Sequence, residues 1–193
     1  MITEQKAEIR TRLKQIRAAI PQKDRQKYSQ IITSRIRDLE VIRRSQHIFI
    51  YISCDGEVET HDLINKLLKQ GKTLAVPKII DSDHMVAVAF TDWSELETGQ
   101  LGILTPKSCE PAADNFDVVI TPGLGFTTDG YRIGYGRGYY DKWFAKHQVQ
   151  QKIAMTFDEQ VIETLPITDF DIPVNMIVTE SRIIQVPATS RSK

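Results

Sequence analysis

The chain has 193 residues, with 25 basic and 25 acidic side chains and a formal charge of zero, so bulk charge gives no support to a nucleic-acid or membrane partner. Its length suits one domain that buries roughly 70% of its unfolded surface without covalent staples. Two cysteines, Cys54 and Cys109, at a separation that matches no zinc or redox motif, read as reduced thiols of a cytoplasmic protein; no apolar run approaches the ~18 residues of a membrane span, and the charged N-terminus lacks a signal-peptide core.

Residues 3–20 form the first predicted helix, with Ile9, Leu13, Ile16 and Ile20 at helical spacing, Thr3 as N-cap and Pro21 as stop. Lys6, Arg10, Lys14 and Arg17 make a basic stripe beside the apolar one. On pattern alone that stripe is a solvated face. A second helix is predicted over 22–40, with Tyr28, Ile31, Ile32, Ile36 and Leu39 on one face. Residues 47–52 are a strongly apolar strand that feeds a turn of small and acidic residues, after which Thr60 caps a helix ended by Gly71. Strands follow at 72–79 and 85–90, then a short helix over 93–97 and a loop over 99–115.

The run FDVVIT, 116–121, reads as a buried strand, and YYDKWFAKHQ, from 139, as the opening of a helix. Between them lie six glycines, at 123, 125, 130, 134, 136 and 138, together with Arg132 and Arg137. Glycine lets backbone approach a ligand closely, a helix N-terminus offers free N–H groups to an anion, and guanidinium binds phosphate through paired hydrogen bonds. The dinucleotide pattern fails because residue 139 is Tyr139, and the Walker pattern fails because Tyr131-Arg132 follow Gly130. Phosphate binding and a surface glycine turn both remain open on spacing alone. Further on, 152–157 is a strand, 158–165 a short helix and 174–179 a last strand; residues 187–193 are expected to be a disordered tail. His47, His61, His84 and His147 fall at no ligand spacing, and neither a nucleophile triad nor a zinc-binding helix motif occurs.

The segment Pro122-Gly123-Leu124-Gly125-Phe126 followed by Gly130-Tyr131-Arg132-Ile133-Gly134-Tyr135-Gly136-Arg137-Gly138-Tyr139-Tyr140-Asp141 resembles the signature of the 5-formyltetrahydrofolate cyclo-ligases, also called methenyltetrahydrofolate synthetases. The likeness extends over most of 3–180. It implies one three-layer, Rossmann-like α/β domain with a largely parallel central sheet, in agreement with the alternation of strands and helices. It implies ATP-dependent conversion of 5-formyltetrahydrofolate to 5,10-methenyltetrahydrofolate, with Mg²⁺ as cofactor.

By the same resemblance, Lys6 and Arg10 contact the nucleotide, whereas Arg12, Lys14 and Arg17 are not carried over. Arg132, Ile133, Gly134, Tyr135, Gly136, Arg137, Gly138, Tyr139 and Tyr140 surround ATP, with Arg132 and Arg137 as the catalytic cations. Ile52, Glu57, Tyr139 and Tyr140 meet the folate, and Asp141 and Asp171 hold the metal. Glu57 stands where a carboxylate can accept two N–H bonds from a pterin edge. The chain departs from the family in Gly102-Ile103-Leu104-Thr105-Pro106, where Thr105 replaces an acidic residue. Expected partners are small molecules and neither nucleic acid nor membrane, in a monomer or homodimer. A non-catalytic folate or nucleotide sensor and another ATP-dependent enzyme on the same fold are the competing readings; calorimetry with turnover separates the first, substrate competition the second.

Overall fold

The structure is a computed structural model that describes residues 2–54, 56–99 and 103–187. Asp55, Gly102 and all but Pro187 of the expected tail lie outside them. Three helices come first: α1 (Ile2–Ala19), α2 (Gln22–Asp38) and α3 (Glu40–Arg44). Helix α1 starts before Thr3, which therefore sits in its first turn rather than at its cap. The predicted helix over 22–40 breaks at Leu39, whose extended backbone (φ −62°, ψ 131°) separates α2 from α3.

The central sheet has seven strands: β1 (His47–Ile50), β2 (Thr73–Ile79), β3 (Met85–Phe90), β6 (Val118–Thr121), β9 (Gln151–Met155), β11 (Met176–Val178) and β12 (Ile183–Gln185). Their spatial order is β12-β11-β9-β6-β1-β2-β3. The five inner strands run parallel and the two edge strands antiparallel. Inner strands alternate between the two faces, as the period of two requires. Ile48, Ile50, Val118, Ile120, Ile153 and Met155 point to one face, where they meet Ile32 and Ile36 of α2, Ile42 of α3 and Leu63, Ile64 and Leu67 of α4 (His61–Lys69). Phe49, Ala75 and Val119 point to the other, against Trp143 and Phe144 of α5 (Tyr139–Phe144). Full burial of each such large side chain stabilises by about 1.5–3 kcal/mol.

The second face is not covered by helices alone. A small sheet of β7 (Gly125–Thr127), β8 (Arg132–Ile133) and β10 (Val161–Ile162), in the order β10-β7-β8, places Phe126 against Ala154 and Ile177. The expected strand-to-helix loop thus contains a β7–β8 hairpin turning at Asp129-Gly130, where Gly130 N–H donates to the Thr127 carbonyl and φ is +85°. Likewise the helix expected over 158–165 is a 3-10 turn (Asp158–Gln160) followed by β10: Val161 and Ile162 pair alongside β7, and Gln160 is buried with its amide donating to the Leu124 carbonyl at 2.6 Å. A second hairpin, β4 (Leu96–Thr98) with β5 (Leu104–Pro106), occupies parts of the expected short helix and loop.

Strand β1 connects through α4 to β2 on one side, whereas β6 lies on its other side. The chain therefore reverses its winding between β1 and β6, and in open α/β sheets ligands sit beyond the carboxyl ends of strands at such a point. Two segments leave those ends side by side: 51–60 after β1 and 122–138 after β6.

Candidate active site

The segment after β1 is closed by its own hydrogen bonds. Ser53 and Thr60 exchange backbone N–H and hydroxyl contacts at 2.9 and 3.0 Å, and buried Tyr51 donates its hydroxyl to the Val58 carbonyl. Glu57 sits at the turn, its Oε2 accepting the Cys54 N–H at 3.0 Å. That leaves the carboxylate at a fixed position on the lip of the crevice. Burial first, then the charge of Glu57, pushes the Cys54 thiol up to about 12, so it stays protonated and unreactive. Ile52 is 7% exposed and belongs to the core under the helices, with little surface turned to the crevice.

The segment after β6 divides in two. Its hairpin half carries Arg132, whose side chain is 3% exposed. The guanidinium donates through Nη2 to Asp141 Oδ1 at 2.8 Å and lies over the rings of Tyr140 and Phe144. Asp141 Oδ1 also accepts the Ile172 N–H at 3.1 Å. Two residues expected to meet phosphate and metal therefore pair with each other and tie β8 to α5. Ile133 is buried against Leu13 and Leu124, so only its backbone is near the crevice.

The second half, 134–138, is an exposed arch. Tyr135 and Arg137 are exposed, and Arg137 has no hydrogen bond or ion pair among the described residues. A Cβ built on Gly134 or Gly138 would meet nothing within 4 Å. Helix α5 has six residues, too short for its dipole to anchor a polyphosphate; the positive charge comes from side chains instead. Helix α1 supplies it by crossing the arch. Its apolar face, Ile9, Leu13 and Ile16, packs on Leu124 and Ile133, which turns the adjacent basic edge toward the site. Arg10 donates to the Gly134 carbonyl at 3.0 Å, and its guanidinium lies 3.5 Å from where a Gly136 Cβ would be. Lys6 pairs with Asp171 at 2.7 Å, both largely buried. The Asp171 carboxylate also accepts the Thr168 N–H and hydroxyl; burial raises its proton affinity, but the Lys6 and Thr168 hydrogen bonds outweigh that and hold it below the ordinary range.

The two tyrosines at the start of α5 differ. Tyr139 donates to the Asp81 carbonyl at 3.1 Å. Tyr140 stacks on Phe49 with centroids 6.0 Å apart, and its hydroxyl is buried without a partner among the described residues. Burial keeps that phenol protonated; the guanidinium of Arg132 pulls the other way and Glu57 reinforces it. An orphaned buried hydroxyl is costly unless something answers it. Asp141 and Asp171 are hard oxygen donors beside the arch. Mg²⁺ takes one or two carboxylates and completes its shell with substrate phosphates and water. Asp141 keeps Oδ2 without a hydrogen bond among the described residues and so fits such an ion, whereas both oxygens of Asp171 already accept from Lys6. No group of three or more metal-binding side chains occurs among the described residues.

The structure also brings in residues that the sequence reading left out. Arg17 donates to the Tyr135 hydroxyl at 2.9 Å, and that hydroxyl contacts Glu57 Oε1 at 2.8 Å. The available signal was spacing: Arg17 lies seven residues after Arg10 and so on the same helix face. Thr105, in the departure from the family pattern, is on β5 directly opposite Glu97. No helix among the described residues is long and apolar enough to cross a membrane.

A profile of the 5-formyltetrahydrofolate cyclo-ligase family matches residues 2–180. The 5-formyltetrahydrofolate cyclo-ligase of Mus musculus is 29% identical, with 89% of this chain and 92% of that protein covered. That of Escherichia coli K12 is 28% identical, covering 89% and 98%. Among solved structures, the NMR structure of Aquifex aeolicus 5,10-methenyltetrahydrofolate synthetase superposes with a TM-score of 0.84 at 28% identity, covering 97% of this chain and 96% of the other.

Proposed function

Because the chain belongs to the 5-formyltetrahydrofolate cyclo-ligase family, we infer that it converts 5-formyltetrahydrofolate and ATP to 5,10-methenyltetrahydrofolate, ADP and phosphate. The observation that carries this reading is an open glycine arch that bears Arg137, accepts a hydrogen bond from Arg10 and reaches Glu57 through Tyr135. A polyphosphate fits the two arginines and an amino-pyrimidine edge fits the carboxylate.

The formyl oxygen of the substrate is a poor leaving group. Taking up the γ-phosphoryl, with release of ADP, makes it a good one. N10 then adds to the formyl carbon and loses its proton, and expulsion of phosphate closes the methenyl bridge. Such a transfer asks the protein for position and charge neutralisation rather than a nucleophile, in keeping with a site that lacks one. Gly134, Gly136 and Gly138 let backbone and phosphate oxygens approach. Arg137 and Arg10 neutralise charge along the arch, and Lys6 adds a third cation when released from its pair with Asp171. Arg132 contributes through its pair with Asp141, which fixes the arch to α5. Glu57 receives the pterin edge, and the Tyr140 hydroxyl finds in the folate the partner it otherwise lacks, with Tyr139 beside it. Asp141, through the oxygen that Arg132 leaves open, would hold Mg²⁺, with Asp171 joining it when Lys6 turns to the phosphates; the ion would supply further neutralisation of the phosphates. A cytoplasmic setting accords with the two free thiols.

The test is direct: purified protein with ATP, magnesium and 5-formyltetrahydrofolate should generate methenyl absorbance in step with ADP. Absence of both at high enzyme concentration rejects the reaction; binding of both substrates without turnover selects the sensor reading.

A further inference from the structure

Glu57 is the only carboxylate that the reading above gives to the folate, and three segments distant in sequence converge on it. Its Oε2 accepts from the Cys54 backbone, and its Oε1 contacts the hydroxyl of Tyr135. Tyr135 rides on the arch between Gly134 and Gly136 and is 49% exposed. Its hydroxyl in turn contacts Arg17 Nη1 at 2.9 Å, and the Arg17 guanidinium lies 5.8 Å from the centre of the tyrosine ring. The same guanidinium backs the turn at Gly56, 3.2 Å from where a Cβ would stand.

The donor inventory fixes the direction of this chain. Arginine donates and never accepts, so the tyrosine oxygen must be the acceptor from Arg17. The single phenolic proton is then left to point at Glu57. Partial burial, reinforced by the charge of Glu57, raises the affinity of Tyr135 for that proton, so the donor persists across the neutral range. A carboxylate has about four acceptor positions; Cys54 and Tyr135 use one on each oxygen, which leaves one on each for a ligand presenting two N–H groups side by side.

We propose that Arg17 and Tyr135 act in series as positioning residues for folate binding, Arg17 holding Tyr135 and Tyr135 holding Glu57 in the orientation that receives the amino-pyrimidine edge of the substrate. This rests on the assignment of Glu57 to the folate. It gives α1 a second role: Lys6 and Arg10 serve the phosphate end of the site, and Arg17, two turns beyond Arg10, serves the pterin end. Exposed charge networks of this kind often contribute little to stability, so the role is looked for in the Michaelis constant for folate.

The experiment is steady-state kinetics of the full chain, following methenyl absorbance, for Tyr135→Phe, Arg17→Ala, Arg17→Lys and the double variant Arg17→Ala/Tyr135→Phe. Loss of a hydrogen bond to a charged group corresponds to roughly 10-fold or more in affinity. Tyr135→Phe and Arg17→Ala are each expected to raise the folate KM by about 5- to 20-fold, by that measure, and to change it more than kcat or the ATP KM. Arg17→Lys should recover part of the loss, and the double variant should be no worse than Tyr135→Phe because the two act in one chain. Additive losses, an unmoved folate KM, or a change confined to kcat or ATP overturns the proposal. Glu57→Gln separates the levels. If it raises the folate KM while Arg17 and Tyr135 variants do not, the series arrangement is wrong; if it leaves the folate KM unchanged, the assignment of Glu57 is wrong and the proposal falls with it. Should Tyr135→Phe lower the unfolding midpoint, the Arg17→Ala and Arg17→Lys pair decides the outcome.

Discussion

The two halves of the glycine-rich segment look alike in sequence and differ in what demands their glycines. In the hairpin half, the protein itself does. A Cβ on Gly123 would stand 2.6 Å from the Phe126 ring, one on Gly125 2.6 Å from Leu13, and one on Gly130 2.5 Å from the Val174 carbonyl. In the arch, Gly134 has no positive φ and no atom within 4 Å of its would-be Cβ. Gly138 has equal space and Gly136 meets only the end of Arg10, but both have a positive φ, +68° and +113°, that itself favours glycine. Nothing within the protein excludes alanine at Gly134. The first half is therefore packed scaffold; in the second, backbone conformation accounts for Gly136 and Gly138, and Gly134 alone is a glycine that only something coming close from outside would demand.

The largest effect that would sharpen this contrast is expected at Arg132. Replacing it by methionine leaves Asp141 without its buried partner, and breaking such a pair costs about 3–5 kcal/mol, to be read from the unfolding midpoint; a variant as stable as the parent would show that the scaffold half does not depend on the pair. Gly130→Ala comes next. Its methyl group meets a backbone carbonyl at a positive φ, so a loss of about 1–3 kcal/mol is expected, with an unchanged KM for ATP in the fraction that folds. Smaller in stability but larger in function is Arg137→Ala. This exposed side chain has no partner among the described residues, so its removal should shift stability by less than about 0.5 kcal/mol while weakening ATP roughly tenfold, the worth of one charge-assisted hydrogen bond. Unaltered ATP affinity would remove Arg137 from the site.

Much of the fold was legible because it follows from local rules. Alternating apolar strands and amphipathic helices gave a parallel α/β sheet, and the β1 and β6 runs were clear. The hairpin inside the glycine segment carries one recognised turn signal, Asp129-Gly130, but its strands Gly125–Thr127 and Arg132–Ile133 are too short to show an alternating pattern. The helix expected over 158–165 failed because Val161 and Ile162 gain more from pairing beside β7 than from a short isolated helix. Motif resemblance named candidate residues for the site, but not how they pair. That Arg132 would be spent on Asp141 depends on how β8 meets α5, and that Arg17 reaches Tyr135 depends on how α1 crosses the arch. Both are facts of tertiary placement that residue spacing does not encode.

The most direct test uses Gly134→Ala and thermal unfolding with and without MgATP. Without nucleotide, parent and variant should unfold at the same temperature, since the added methyl group meets open space. Saturating MgATP should raise the midpoint of the parent by about 5 °C or more, as binding at a hundred times Kd implies for a protein of this size, and should raise that of the variant little or not at all. Equal stabilisation of both by MgATP would mean that the polyphosphate does not lie on the arch.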